Sequence, residues 1–317
     1  MKNKKIKEVQ NIKKVSRYSK IILVLLVLAI IGSTQLASAS FLNNTVVSIR
    51  TGISKQDFMF ETPAAFSILD WQGENIGFGL DVKHNFVYNN ATFGELELDY
   101  SSVNGGEAHD DDISNDYGTY SKGEIGGKTS DLKVKFGYQF DLNKIGIDSL
   151  SLAPTVGAFY KNIHYYSKNK KHTDPYSGPV TFPGICNETN STIYGFNFGV
   201  KLETKNTEKI KSSVKLDYIV PIYYKGKQTW HKRTPILHWQ LENTNRESLN
   251  LANSNGFRIK YEQKHLVNSA LIKHIIFYTS YEKIVVKNLK ESRIGFSYAG
   301  SGKVQFDGFN IGLGFEF

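Results

Sequence analysis

From about residue 40 onward the chain alternates apolar and polar residues with a period of two, in segment after segment, each bounded by Gly, Asn, Asp or Ser. That period belongs to β-strands with two different faces, not to helices. The last segment, DGFNIGLGFEF, is the clearest. Phe309, Ile311, Leu313, Phe315 and Phe317 fall on one side, and Asn310, Gly312, Gly314 and Glu316 on the other. A continuous apolar face opposite small or polar residues suits a strand with lipid on one side and a lumen on the other.

Nine more stretches follow the rule: TVVSIRTGISKQDFMF, AFSILDWQGENIGFGLDVKHNF, ATFGELELDYSSV, SDLKVKFGYQFDL, SLSLAPTVGAFYKNIHYY, STIYGFNFGVKLE, KSSVKLDYIVPIYYKG, NGFRIKYEQKHLV and IKHIIFYTSYEKIVV. Together they predict an all-β fold, a closed antiparallel transmembrane β-barrel of about 10 strands. DLNKIGIDSL, TKNTEKIKSS and VNSALIK read as short periplasmic turns, and residues 104–130, 166–191, 226–254 and 288–303 as long extracellular loops. A soluble periplasmic β-sandwich is the competing arrangement, and it does not need that alternation of short and long connections.

The N-terminus has a different pattern. Residues 1–20 carry eight Lys or Arg against Glu8, a net of +7 out of the chain's +9, so only +2 remains for everything after them. The basic character therefore belongs to a leader, and a nucleic-acid partner is not expected. The apolar run Ile21–Ile31 follows, then LASAS, whose Ala37 and Ala39 suit a signal peptidase. Eleven apolar residues fall short of the roughly 20 that a spanning helix needs. The expected organisation is a signal peptide over residues 1–39, cleaved after Ala39, and a barrel domain over 40–317, exported to a bacterial outer membrane.

Composition adds little. A mean hydropathy of −0.34 averages two alternating faces and decides nothing. The single cysteine, Cys186, excludes an intramolecular disulfide framework. Trp71, Trp230 and Trp239, with the paired tyrosines Tyr165-Tyr166 and Tyr223-Tyr224, are expected to form interfacial girdles.

LDWQGENIGFGLDV followed by ATFGELELDYSSVNGGEAHDDDI resembles the omptin pattern, in which a strand opens on Leu-Asp-Trp and the next leads into Gly-Gly and paired aspartates. The layout of the whole mature chain is similar to omptins, while the specific motif covers residues 65–113. Omptins are outer-membrane endopeptidases that cut beside basic residues, using an Asp pair facing an Asp-His pair. The resemblance implies Asp110 and Asp112 as the aspartate pair and His231 as the histidine. It also implies departures: Thr229 stands where the family has the acid that orients its histidine, and Lys227 and Gln56 where it has the acids of its specificity pocket. A base histidine without a carboxylate to fix its tautomer loses orders of magnitude in rate, and a lysine repels basic substrates. No acid occurs between Asp217 and Glu242 to restore the dyad.

The expected function is therefore a non-catalytic surface barrel of omptin-like architecture, adhesive, structural or porin-like. The alternative is an omptin-like endopeptidase of altered specificity. No cofactor or metal is expected. Asp110–Asp112 with Asp116 match no EF-hand spacing, and the histidines show no zinc-ligand pattern. Expected partners are outer-membrane lipid, including lipopolysaccharide-like headgroups near Lys168, Lys170, Lys171 and the basic stretch 225–233, and the outer-membrane insertion machinery, through the terminal strand ending at Phe317.

Overall fold

Alternating segments leave backbone N–H and C=O groups on both edges of every strand, and in hydrocarbon those groups must all be paired, which only a closed ring achieves. The computed structural model describes residues 44–62, 67–86, 91–112, 119–142, 149–174, 178–205, 209–231, 242–248, 254–267, 269–293 and 296–317. The proposed signal peptide lies outside them. The strands are β1 (Thr45–Thr62), β2 (Ser67–Asn85), β3 (Thr92–Asp112), β4 (Thr119–Tyr138), β5 (Phe140–Asp141), β6 (Leu150–Asp174), β7 (Gly178–Lys205), β8 (Ile210–Trp230), β9 (Glu242–Ser248), β10 (Asn255–Leu266), β11 (His274–Arg293) and β12 (Phe296–Glu316).

Sequence neighbours pair antiparallel within β1–β4, β6–β9 and β10–β12, while β4 pairs with β6, β12 with β1 and β8 with β10, so ten strand positions close into a ring. The ring therefore agrees with the periodicity. The two-residue β5 merely extends the edge beside β6. β9 and β10 share one position in the wall, both lying between β8 and β11. From Ile219 to Lys225 β8 advances six residues while its partners run nine, from Gly256 back to Glu247, so this strand carries three extra residues at its break.

The expected long loops are a correction. Residues 104–112, 119–130, 166–174 and 178–191 are strand, and β6 and β7 reach 25 and 28 residues. A tilted strand needs only about 9–11 residues to cross a bilayer, so the wall stands far above the membrane. The physical reason is that ladder pairing needs no apolar outer face in water. Where the wall leaves lipid the hydropathy alternation fades, but the hydrogen bonds continue.

The lipid-facing band sits toward the end of the barrel where β1 begins and β12 ends. Phe78, Phe136, Phe196, Phe198, Tyr218, Ile259, Phe277 and Ile311 are all exposed on the outer face. Its upper border includes a row of residues in register, Leu132–Tyr160–Tyr194–Tyr223, whose last two rings stack at 4.5 Å. Immediately above it comes Ser130–Asn162–Thr192–Lys225, then Lys128–His164–Asn190–Lys227.

Candidate functional site

Lumen chemistry depends on which residues each strand turns inward, and one inserted residue exchanges the faces. In lower β3 the odd positions face in, as buried Glu97 and Ser101 show. Between Ser102 and Glu107 this strand spends five residues against four of β4, Lys128 to Glu124. Gly106, at φ 119°, makes that bulge possible: a Cβ there would stand 2.0 Å from the Gln72 carbonyl oxygen. Above the bulge the even positions face in, and Ala108 and Asp110 are buried.

A second bulge, at Asn169 (φ 52°), does the same in β6, where three residues from Lys168 to Lys171 oppose two of β4. Ser167 faces in below it and Lys170 above it. The two bulges bring Asp110 and Lys170 together: Lys170 Nζ donates to Asp110 Oδ2 at 2.6 Å, both side chains nearly buried. Asp110 Oδ1 is buried without a hydrogen-bond partner among the described residues. The sequence reading missed Lys170 as a lumen residue because a basic run looks like a solvated tip; Asn169, a residue tolerant of positive φ, was the available signal.

A third bulge, in β8, sets two residues from Pro221 to Tyr223 against one from Tyr194 to Gly195. Asp217 and Ile219 face in below it; Tyr224 and the fully buried Gln228 face in above it. Lys227 is exposed on the outer face. Thr229 pairs in register with Glu188 and, through it, with Tyr166 and Gly126. This row lies outside the wall, with the Tyr166 ring packed over Gly126, where a Cβ would meet it at 2.4 Å. His231, two residues beyond Thr229, follows this outer row. Its backbone N–H donates to the Cys186 carbonyl at 2.8 Å, and its Nε2 lies 3.8 Å from Glu188 Oε1.

The structure therefore does not bring Asp110 and His231 to one face. Asp112 continues β3 with its backbone opposite Ser67 and Thr119; its side chain lies outside the described part. Lys227 and Thr229 also face away from the lumen, and Gln228 takes the inner place that the sequence comparison gave to a neighbour. Gln56 does face inward, 6% exposed. A carboxylate does approach His231, but from β7: Glu188 is distant in sequence and adjacent in the ladder, so a search along β8 alone could not find it.

Below the Asp110–Lys170 pair the lumen holds an apolar layer. Phe58, Phe60, Leu69, Trp71, Phe159, Ile163, Tyr165, Ile193, Tyr224, Ile284, Val286 and Phe306 are all at most 4% exposed and form one cluster. Trp71, Tyr165 and Tyr224 are corrections to the girdle expectation. In each tyrosine pair one ring turns in and the other out, as period two demands. The side chain of Trp230 and all of Trp239 lie outside the described residues.

Beneath the apolar layer Tyr165 donates to Gln56 Oε1 at 2.9 Å, and Ser101 and Thr129 complete a polar seam. A cavity of about 60 Å³ borders this seam, and a plate of ion pairs lies at the same depth and below. Arg258 donates to Glu97 at 2.6 Å across the lumen, Lys135 to Asp217 at 2.7 Å, Lys133 meets Glu282 at 2.9 Å, Lys161 bridges Asp131 and Glu282, and Arg50 bridges Asp81 and Asp99. These charges are tolerable away from water because each is paired.

Above the membrane, the Glu107 carboxyl is held below the usual carboxylate range by its hydrogen bond from Lys122, and Glu124 by those from Asn169 and Lys168. Lys168 is thus an outer ion-pair partner and Lys170 an inner one, so the basic run does not act as one surface. Among the described residues no group of three His, Cys, Asp or Glu side chains is arranged to hold a metal.

The fold is similar to that of the outer-membrane protease OmpT of Escherichia coli, with a TM-score of 0.67 at 10% identity over 89% of this chain and 99% of that one. At that identity the likeness carries the fold and not the activity. Ail of Yersinia pestis, in complex with a heparin analogue, matches at a TM-score of 0.29 and 12% identity over 86% of this chain and 99% of its own. OprG of Pseudomonas aeruginosa matches at 0.29 and 10% over 86% and 95%. No curated protein matches the chain in sequence. The model of one family, described as Protochlamydia outer membrane protein, matches residues 62–287, well over half of the chain. The chain has the fold of a closed β-barrel similar to that of an omptin, and it belongs to the Protochlamydia outer membrane protein (Pom) family.

Proposed function

We propose that this protein is a non-conducting, non-catalytic outer-membrane barrel whose tall wall serves at the cell surface as a structural or adhesive element. The observation that supports the reading is the lumen filled, among the described residues, by an apolar layer stacked on a plate of paired charges. A ring of ten strands is narrow enough for inward side chains to fill it, which weighs against the porin-like option. Against the endopeptidase option, Lys170 occupies one Asp110 oxygen and His231 faces the outer row with Glu188.

Two assays test this. In planar bilayers the purified protein is expected to give no conductance steps, and with a peptide library in detergent plus lipopolysaccharide it is expected to give no cleavage. Conductance would restore the porin-like reading. Cleavage that disappears in Asp110→Asn would restore the endopeptidase.

The proposed partners are the insertion machinery, through the terminal strand and Phe317, and anionic headgroups of the outer leaflet. Lys128, Lys225 and Lys227 support the second, since they lie in the two rows directly above the aromatic border. Lipopolysaccharide is expected to raise the unfolding temperature of the reconstituted barrel, and the Lys128→Gln/Lys225→Gln/Lys227→Gln variant to lose most of that gain.

A further inference from the structure

Among the described residues, the end of the barrel toward the short turns is not filled. Below the ion-pair plate lies a cavity of about 170 Å³, lined by residues near one end of eight ring strands, β1, β2, β3, β7, β8, β10, β11 and β12. At roughly 10–15 Å³ per water centre this holds on the order of a dozen waters. Among the described residues, the ion-pair plate and the apolar layer lie between it and the other end of the barrel. In bacterial barrels the short-turn end faces the periplasm.

Charge sets what such a chamber takes. Five carboxylates line it, and each already has a cation. Asp81 is met by Arg50 at 2.6 Å and by Lys260 at 3.5 Å, Glu262 by Lys260 at 2.6 Å, and Glu203 by Lys201 at 2.5 Å. Glu95 pairs with Lys215, and Glu316 with Lys264 and His274. Three further lysines, Lys83 from β2, Lys211 from β8 and Lys273 just before β11, also line the chamber. Among the described residues none of the three has a carboxylate within ion-pair distance. Lys83 reaches only the Gln139 amide oxygen, at 3.4 Å, and the face of Phe93, at 4.2 Å.

We propose that this vestibule is a binding site for a small polyanion of the phosphate or pyrophosphate class, held by Lys83, Lys211 and Lys273. Ammonium groups from β2, from β8 and from the residue before β11 reach one recess from different sides, which suits a tetrahedral oxyanion with oxygens in several directions. A carboxylate offers two in one plane. Lysine binds phosphate as a point charge and needs no planar fork. With Arg50 and Lys260 behind the wall there are eight cations against the five lining carboxylates and Asp99, so a surplus of two positive charges is focused in one recess rather than spread over a surface.

The test uses the protein purified from membranes in detergent and titrated calorimetrically with inorganic pyrophosphate at pH 7 and low salt. Saturable one-site binding is expected, weakening as sodium chloride is added. Lys83→Gln/Lys211→Gln/Lys273→Gln should weaken it at least tenfold, while Lys128→Gln/Lys227→Gln should leave it within twofold. Heat-dependent gel mobility establishes that each variant is closed; if the triple variant does not fold, each single substitution should weaken binding severalfold. Absence of saturable binding by the unsubstituted protein overturns the proposal. So does an unchanged affinity in the folded triple variant, or in all three folded single variants.

Discussion

Replacing Glu97 by Gln tests the claim that the ion-pair plate holds the barrel shut. Glu97 is fully buried and receives Arg258 at 2.6 Å, with Lys215 at 3.5 Å and Lys135 at 3.9 Å. In the variant Lys135 keeps Asp217 at 2.7 Å and Lys215 keeps Glu95, so both remain compensated. Arg258 keeps only Asp217, at 4.0 Å. The principal cost is thus one guanidinium left buried without a close counter-charge, about 3–5 kcal/mol when a single partner is removed. At about 1.4 kcal/mol per tenfold, the lower figure shifts the folding equilibrium by roughly a hundredfold. Urea unfolding in lipid vesicles, followed by tryptophan emission, reads this directly. The double variant Glu97→Gln/Arg258→Met removes both charges and should recover most of the loss, since an apolar pair is tolerated where an orphaned ion is not. If Glu97→Gln unfolds at the same urea concentration as the parent, or the double variant loses the sum of the two singles, the plate does not act as argued.

Other consequences follow from single sites. Gly106→Ala puts a Cβ 2.0 Å from the Gln72 carbonyl at a φ of 119°; it should cost about 1–3 kcal/mol in the same unfolding assay. Trp71→Ala empties a position 1% exposed in the apolar layer, with an expected loss of about 3–5 kcal/mol and loss of the most solvent-shielded part of the emission spectrum. Phe196→Arg, on the lipid face, should cost about 2–4 kcal/mol in bilayers if it lies near the midplane, and Asn197→Ala, one residue along and facing in, should show no such dependence on lipid.

The ten wall positions could be read from the sequence because lipid enforces an apolar outer face on every strand. The terminal stretch from Phe309 to Phe317 makes this plain. Above the lipid that pressure ends, which is why strand residues such as Glu107, Lys122 and Lys168 look like loop. Facing was legible only up to the first bulge. Beyond Gly106, Asn169 and Ile222 one unpaired residue exchanges inside and outside, and only Gly106 and Asn169, residue types that accept positive φ, mark where to count it. Counting by twos from Ser101 would have turned Asp110 outward, whereas the structure buries it above the bulge. Lys227, Thr229 and His231 were placed from a resemblance that did not include the β8 bulge. Aromatic residues misled for a related reason: Trp71 and Tyr165 suit a membrane border and a barrel interior equally well, and only the packing separates the two.

The salt links that cross the lumen tie together strands far apart in the chain: Glu97 of β3 to Arg258 of β10, Lys135 of β4 to Asp217 of β8. A water-filled barrel can gain or lose a hairpin by duplication or deletion and still have its inner groups solvated. This one cannot, because removing any hairpin strands a charge on the far wall. Its strand number is thereby locked by its interior, and descent within such a lineage is expected to proceed by lengthening the wall, as the three surplus residues between β9 and β10 already illustrate, rather than by widening the ring.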